Sequence, residues 1–220
     1  MSKFNKIDTI GIIRSTGIVP VFYNKDVEIA KKVVKACYEG GIRAFEFTNR
    51  GDGAHRVFRD LIEYVRKECP EMALGAGTIL DAPTAALYIQ MGADFLVSPC
   101  CVDEVIALAG RRGIPYSPGC GTVTEIVHAM ELGSDLVKVF PAGTVGGPAF
   151  IKNVLAPLPW AMLMATGAVE PTEENLKNWA ASGVTAVGMG SKLFPKAAIE
   201  SGDWAGISAL CRKCLDWFKK

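Results

Sequence analysis

A (β/α)₈ barrel is the fold class that this sequence predicts, on three observations. Short apolar strand patterns and amphipathic helix patterns alternate eight times along 220 residues. A glycine recurs where a helix hands over to the next strand. No linker or composition break interrupts the run. Parallel strands need a crossover connection, and strands alternating with helices of this length supply one each time.

The strand patterns fall at 18–23, 44–48, 73–76, 95–98, 114–117, 136–139, 163–165 and 186–188. Helical patterns fill the intervals at 27–38, 54–68, 83–91, 102–111, 123–132, 148–155, 172–181 and 204–218. A leading helix near 6–15 is placed to cap the bottom of the barrel. The junction glycines Gly41, Gly92, Gly113, Gly133 and Gly183 can take the left-handed conformation that ends a helix and turns the chain back to the sheet. An open doubly wound sheet is the structural alternative, but its G-x-G-x-x-G fingerprint does not follow the first strand. The prediction is one TIM-type α/β barrel domain over 1–220.

Composition removes several function classes. Half of the residues are hydrophobic and 21% are charged, which suits a large core rather than disorder. A formal net charge of +1, with Lys and Arg spread along the chain, argues against nucleic acid. No apolar run approaches the ~20 residues needed to cross a bilayer, and the N-terminus lacks a signal-peptide core. Seven cysteines without a small-scaffold spacing fit free thiols in a reducing cytoplasm. Cys100, Cys101 and Cys120 follow strands, whereas Cys211 and Cys214 share a helix, and both sets read as packing residues. Zinc would need further ligands that the sequence does not offer, so no metal is expected, and His55 and His128 receive no role.

In such a barrel, chemistry is expected at the C-terminal ends of the strands. Lys138 lies inside Leu136-Val137-Lys138-Val139-Phe140, where an ammonium is penalised by desolvation and a neutral amine becomes accessible. That amine is what a Schiff-base catalyst needs to attack a ketone. In Ala44-Phe45-Glu46-Phe47-Thr48, alternation puts the two rings toward the helices and turns Glu46 and Thr48 inward. Glu46 is then a candidate general acid/base for imine chemistry. Arg50, of the same parity at the mouth, offers a planar fork for an α-keto carboxylate. Gly75-Ala76-Gly77-Thr78 ends the third strand with small residues and a hydroxyl donor. The segments Ala165-Thr166-Gly167-Ala168 and Gly188-Met189-Gly190-Ser191 follow the last two strands, where barrels often hold phosphate on backbone N–H groups.

Taken together, Glu46-Phe47-Thr48-Asn49-Arg50, Gly75-Ala76-Gly77-Thr78, Ser98-Pro99, Pro118-Gly119, Lys138-Val139-Phe140-Pro141 and Gly188-Met189-Gly190-Ser191 resemble, in order, the KDPG/KHG aldolase family. The resemblance runs from about Gly17 to Phe194. It implies a class I, Schiff-base aldolase that cleaves 2-keto-3-deoxy-6-phosphogluconate or 4-hydroxy-2-oxoglutarate to pyruvate and an aldehyde, without cofactor or metal. By that resemblance Lys138 forms the imine, Glu46 moves protons, Arg50 and Thr78 hold the pyruvate carboxylate, and Phe140 lines the site. Backbone N–H groups near Gly167, Ala168 and Ser191 would bind phosphate, and the assembly would be a homotrimer.

Three departures accompany it. Ala168 replaces the second glycine of a family Gly-Gly pair, and alanine reaches φ > 0 only at a cost. Gly143 stands where many members carry glutamate, and the first strand lacks an arginine found in some. Two competing readings follow from the same residues. One is a phosphate-binding isomerase or epimerase that uses Glu46 without a covalent intermediate. The other is a catalytically silent barrel that binds a sugar acid.

Overall fold

The computed structural model describes residues 1–219. Its strands are β1 (Ile18–Phe22), β2 (Ala44–Thr48), β3 (Ala73–Gly77), β4 (Leu96–Val97), β5 (Tyr116–Ser117), β6 (Gly119–Cys120), β7 (Val137–Val139), β8 (Leu163–Thr166) and β9 (Ala186–Met189). The helices are α1 (Lys6–Thr16), α2 (Val27–Glu39), α3 (Ala54–Glu68), α4 (Ala82–Met91), α5 (Asp103–Arg112), α6 (Val123–Glu131), α7 (Gly147–Leu155), α8 (Glu173–Ala181), α9 (Lys196–Ser201) and α10 (Trp204–Phe218). All strand pairings are parallel, in the spatial order β5-β4-β3-β2-β1-β9-β8-β7-β6.

The two ends of that order are halves of one strand. Pro118 separates β5 from β6 and has no N–H to give to a ladder. The first half pairs with β4, Leu96 opposite Tyr116 and Val97 opposite Ser117. The second half turns to β7, with Gly119 opposite Lys138 and Cys120 opposite Val139. The barrel therefore closes through Pro118, whose carbonyl accepts from the Lys138 N–H at 2.9 Å. The sequence pattern placed this strand at 114–117, because periodicity does not reveal a strand resumed beyond a proline.

The junction glycines behave as their positions require. Gly41, Gly92, Gly113, Gly133 and Gly183 all have positive φ, between 64° and 104°. Helix starts are fixed by side-chain caps: Asp26 accepts from the Glu28 and Ile29 N–H groups, Asp81 from Thr84, and Thr122 with Glu125 closes a reciprocal capping box on α6. Helix α9 lies outside the sequence-derived pattern; it is six residues long with none buried, so it carries no amphipathic signal.

Two apolar layers hold the barrel. Phe45 and Phe47 point outward as alternation requires, and the chain of rings continues from Phe47 to Phe58 at 6.2 Å and from Phe58 to Tyr88 at 4.9 Å. Inside, Val19, Ala44, Ala73, Phe95, Val97, Leu136, Met164 and Ala186 form a plug. Helix α1 covers it from below through Ile13, with Phe4 and Ile12 at its edge. This is the predicted N-terminal cap.

The lower rim is tied by Asp94, fully buried, which pairs with Arg66 through contacts of 2.8 and 2.9 Å. The same carboxylate accepts from the Leu74 N–H at 2.9 Å and the Lys3 N–H at 2.8 Å, joining α3, β3 and the N-terminal segment. Among the described residues no helix is long and apolar enough to cross a membrane.

Candidate active site

Above the plug, the inward side chains change from apolar to polar. Small residues make the room. A Cβ on Gly77 would overlap Glu46 Oε1, one on Gly188 would overlap Thr166 Oγ1, and one on Gly75 would overlap the Phe95 ring. The glycines that looked unspecific in sequence are therefore spaces cut for particular neighbours.

Glu46 and Lys138 are both buried, at 1% and 5% exposure. Glu46 Oε2 has no hydrogen-bond partner among the described residues. Lys138 Nζ lies 4.9 Å from the centroid of the Phe140 ring rather than on a carboxylate. Burial pushes the Glu46 carboxyl above its ordinary value, with Lys138 and then Arg50 pulling part of the way back. Burial also draws the Lys138 amine below its ordinary value; Glu46 opposes that shift and Arg50 adds to it. Both shifts favour neutral forms, which are those a nucleophilic amine and a proton-carrying carboxyl require.

A cleft of about 480 Å³ lies nearby; neither Glu46 nor Lys138 lines it, but Phe140, whose ring Lys138 Nζ approaches, does. Arg50, Phe140, Gly167, Ala168 and Ser191 line it, and Thr166 lies on its wall. Arg50 is exposed at the end of β2, where parity placed it. Thr78 lies beyond β3 in a left-handed conformation, φ 60°, and is not among the residues that line the cleft.

The loop after β8 keeps a left-handed turn despite its alanine. Gly167 has φ 106° and Ala168 φ 59°. The non-glycine left-handed conformation costs about 1–2 kcal/mol, and the surroundings hold it in place. The Ala168 carbonyl accepts from Asn175 Nδ2 at 3.2 Å and from Trp179 Nε1 at 3.4 Å, both on α8. The methyl group sits over Gly143, where a Cβ would collide with it. Two of the departures noted in sequence thus lie in contact. After β9, a hydrogen-bonded turn follows Gly190, with the Leu193 N–H on Gly190 O at 2.9 Å and the Phe194 N–H on Ser191 O at 3.1 Å.

Sequence reasoning missed Thr166. Its side chain is nearly buried, its hydroxyl has no partner among the described residues, and it borders the cleft. The available signal was parity: Met164 faces the plug, so Thr166, two residues on, must face the same interior one layer higher. Most cysteines are packing residues as expected. Cys37, Cys69, Cys120, Cys211 and Cys214 are buried, with the Cys211 and Cys37 sulfurs 3.8 Å apart.

The family model for KDPG and KHG aldolase matches residues 9–210. The chain belongs to that aldolase family. It is 35% identical over 218 residues to the 2-dehydro-3-deoxy-phosphogluconate aldolase of Pseudomonas aeruginosa, covering 98% of this chain and 94% of the relative. It is 33% identical over 215 residues to the KHG/KDPG aldolase of Escherichia coli K12, covering 97% and 98%. The fold is shared with a KDPG aldolase from Legionella pneumophila bearing pyruvate captured at low pH as a covalent carbinolamine intermediate; the TM-score is 0.83 at 27% identity, over 93% of this chain and 96% of that one. It is also shared with the Zymomonas mobilis ZM4 2-keto-3-deoxy-6-phosphogluconate aldolase with 3-phosphoglycerate, at a TM-score of 0.82 and 26% identity over 97% of each chain.

Proposed function

We propose that this aldolase works through an imine on Lys138, with Glu46 as its proton carrier, and cleaves a phosphorylated 2-keto-3-deoxy acid. The observation that carries the reading is the pair itself: two buried, oppositely ionisable side chains in the barrel, each without a direct partner of its own. A buried charge is normally paired, so leaving two such groups free keeps them available to a ligand.

The neutral Lys138 amine adds to the C2 ketone, and loss of water gives a protonated imine. Glu46, acting through a water molecule, takes the C4 hydroxyl proton. The C3–C4 bond breaks, its electrons pass to the imine to give an enamine, and the aldehyde leaves. The enamine takes a proton at C3, and hydrolysis then releases pyruvate and restores the amine. Arg50 holds the carboxylate at the mouth, Thr78 assists from the β3 side, and Phe140 packs on the bound pyruvyl group. Thr166, unpartnered on the wall, is positioned to bond a substrate hydroxyl.

Phosphate binding is supported by the retained left-handed turn at Gly167-Ala168, which leaves backbone N–H groups beside Ser191 on one side of the cleft. The same family membership supports a homotrimer, and the exposed Leu80 and Leu87 offer apolar surface for it. We also infer one barrel domain over 1–220, at work in the cytoplasm, where seven free thiols would persist.

Borohydride reduction in the presence of pyruvate, followed by peptide mapping, tests the mechanism. A pyruvyl adduct on Lys138 is the expected result, and a folded protein that gives no adduct would remove the imine. Comparing kcat/KM for the phosphorylated substrate and its dephosphorylated form tests the anion site. Equal values would assign the cleft to an unphosphorylated keto acid.

A further inference from the structure

A second constellation of reactive side chains lies outside the barrel wall, where α5 and α6 meet at the C-terminal rim. Cys101 follows β4, Asp103 opens α5 and His128 lies on α6. Their ligand atoms all lie within 4.8 Å of one another. His128 Nε2 is 3.0 Å from each Asp103 oxygen, and Cys101 Sγ is 3.7 Å from Asp103 Oδ1.

These separations can be compared with what an ion would impose. Zinc bonds of about 2.0–2.3 Å in a tetrahedron put neighbouring ligand atoms about 3.5 Å apart. The His128–Asp103 and Cys101–Asp103 spacings of 3.0 and 3.7 Å bracket that value, and the Cys101–His128 pair lies within 4.8 Å. The donor set, one thiolate, one imidazole and one carboxylate, is that of a borderline-soft divalent cation and would discriminate against magnesium and calcium. His128 and Asp103 are about half exposed, at 48% and 58% of their side chains, so an ion and a water molecule can enter from solvent. Glu125, one turn before His128, is committed to the Gly121 and Thr122 N–H groups and leaves the imidazole to face Asp103.

We propose that Cys101, Asp103 and His128 form a zinc site, with water in the fourth position. Binding exchanges the thiol proton of Cys101 for the metal and joins the loop after β4 to α6, across the strand interrupted at Pro118. The site shares no residue with the aldolase machinery, so it stands or falls independently of that assignment.

Cobalt(II) is the probe, because thiolate coordination gives it a near-ultraviolet charge-transfer band and visible bands characteristic of a tetrahedral site. One equivalent added to the reduced full-length protein is expected to produce both. Zinc should then displace it and raise the unfolding temperature, the rise growing with the logarithm of zinc concentration above Kd. Cys101→Ser and His128→Asn should each weaken cobalt binding by more than about tenfold, since losing even an outer-shell partner of a ligand costs about that much. Cys100→Ser, which changes an exposed neighbouring thiol outside the constellation, should leave the spectrum as it is. Tetrahedral bands that persist in Cys101→Ser or in His128→Asn would overturn the proposal, as would a wild-type protein that binds no cobalt at one equivalent. Circular dichroism on each variant confirms that the comparison is between folded proteins.

Discussion

The barrel has two halves that solve opposite problems. Below, Val19, Ala44, Ala73, Phe95, Leu136 and Met164 fill the interior with apolar atoms, and Ile13 of α1 seals it. Above, the interior holds Glu46, Lys138 and Thr166, set among glycines, with Thr166 on the wall of the cleft. The contrast is sharpest among the buried charges. Asp94, at the lower rim, has a bidentate arginine and three backbone donors, Lys3, Phe4 and Leu74. Glu46 and Lys138, above the plug, have no such company. The same desolvation cost is compensated in one place and left standing in the other, which is how a fold keeps both its stability and its reactivity.

The largest effect should come from removing the amine. Lys138→Met is expected to lower kcat on the order of 10⁵-fold and abolish borohydride trapping with pyruvate, while the fold survives because a buried amine gives way to an apolar chain of similar length. Steady-state kinetics and intact mass check both parts. Next is Glu46→Gln, with a loss of about 10²–10⁴-fold in kcat and a trapping step that still goes to completion. This variant also divides the two halves by stability. The folded-state pKa of Glu46 is raised, so the wild type loses stability as pH climbs from the ordinary value of 4.5 through the raised one. Glutamine does not titrate. The variant should therefore unfold at a higher temperature than the wild type at pH 8, with the advantage fading toward pH 4, and thermal melts across that range measure it.

In the lower half the sign reverses. Asp94→Ala should cost about 3–5 kcal/mol, because it strands the Arg66 guanidinium and the Leu74 N–H, with kcat of the remaining folded protein nearly unchanged. Denaturant titration reads this directly. The smallest change concerns the loop at the anion side of the cleft. Ala168→Gly should release about 1 kcal/mol of left-handed strain, raising the melting temperature by about 2–4 °C. Because a Cβ on Gly143 collides with the Ala168 methyl, Gly143→Ala should be markedly more destabilising in the wild type than in Ala168→Gly, which a double-mutant cycle resolves.

Much of this contrast was legible before any coordinates. The strand pattern at 44–48 matched residue for residue, and parity alone turned Glu46 inward and sent Phe45 and Phe47 to the helices. Lys138 stood out because strands rarely carry an unaccompanied ammonium. What escaped were features that depend on what meets across space. Thr166 looked like one more small residue before a glycine until β8 set it over Gly188. The restart of the fifth strand after Pro118 depends on a neighbour, β7, that is remote in sequence. Asp94 gives no signal in the sequence, since nothing near it in the chain names Arg66. The assembly of Cys101, Asp103 and His128 likewise requires α5 and α6 to be side by side, and helical spacing gave His128 no partner.

The interruption at Pro118 also gives the barrel a seam. As in β1, whose lower residues pair with β9 and whose upper residues pair with β2, the lower half of this strand answers to β4 and the upper half to β7, but only here is the strand itself broken in two at a proline. Ser117 Oγ donates to Leu136 O at 2.6 Å and Ser134 Oγ to Tyr116 O at 2.9 Å, so side chains tie the lower half toward β7, while the first amide beyond Pro118, Gly119, reaches Cys100 O at a long 3.3 Å. The backbone ladder is thinnest at Pro118, which gives neither neighbour an N–H. Hydrogen exchange should find the opening there, next to the strand that carries Lys138, so the most reactive side chain in the protein stands beside the place where the wall is easiest to unzip.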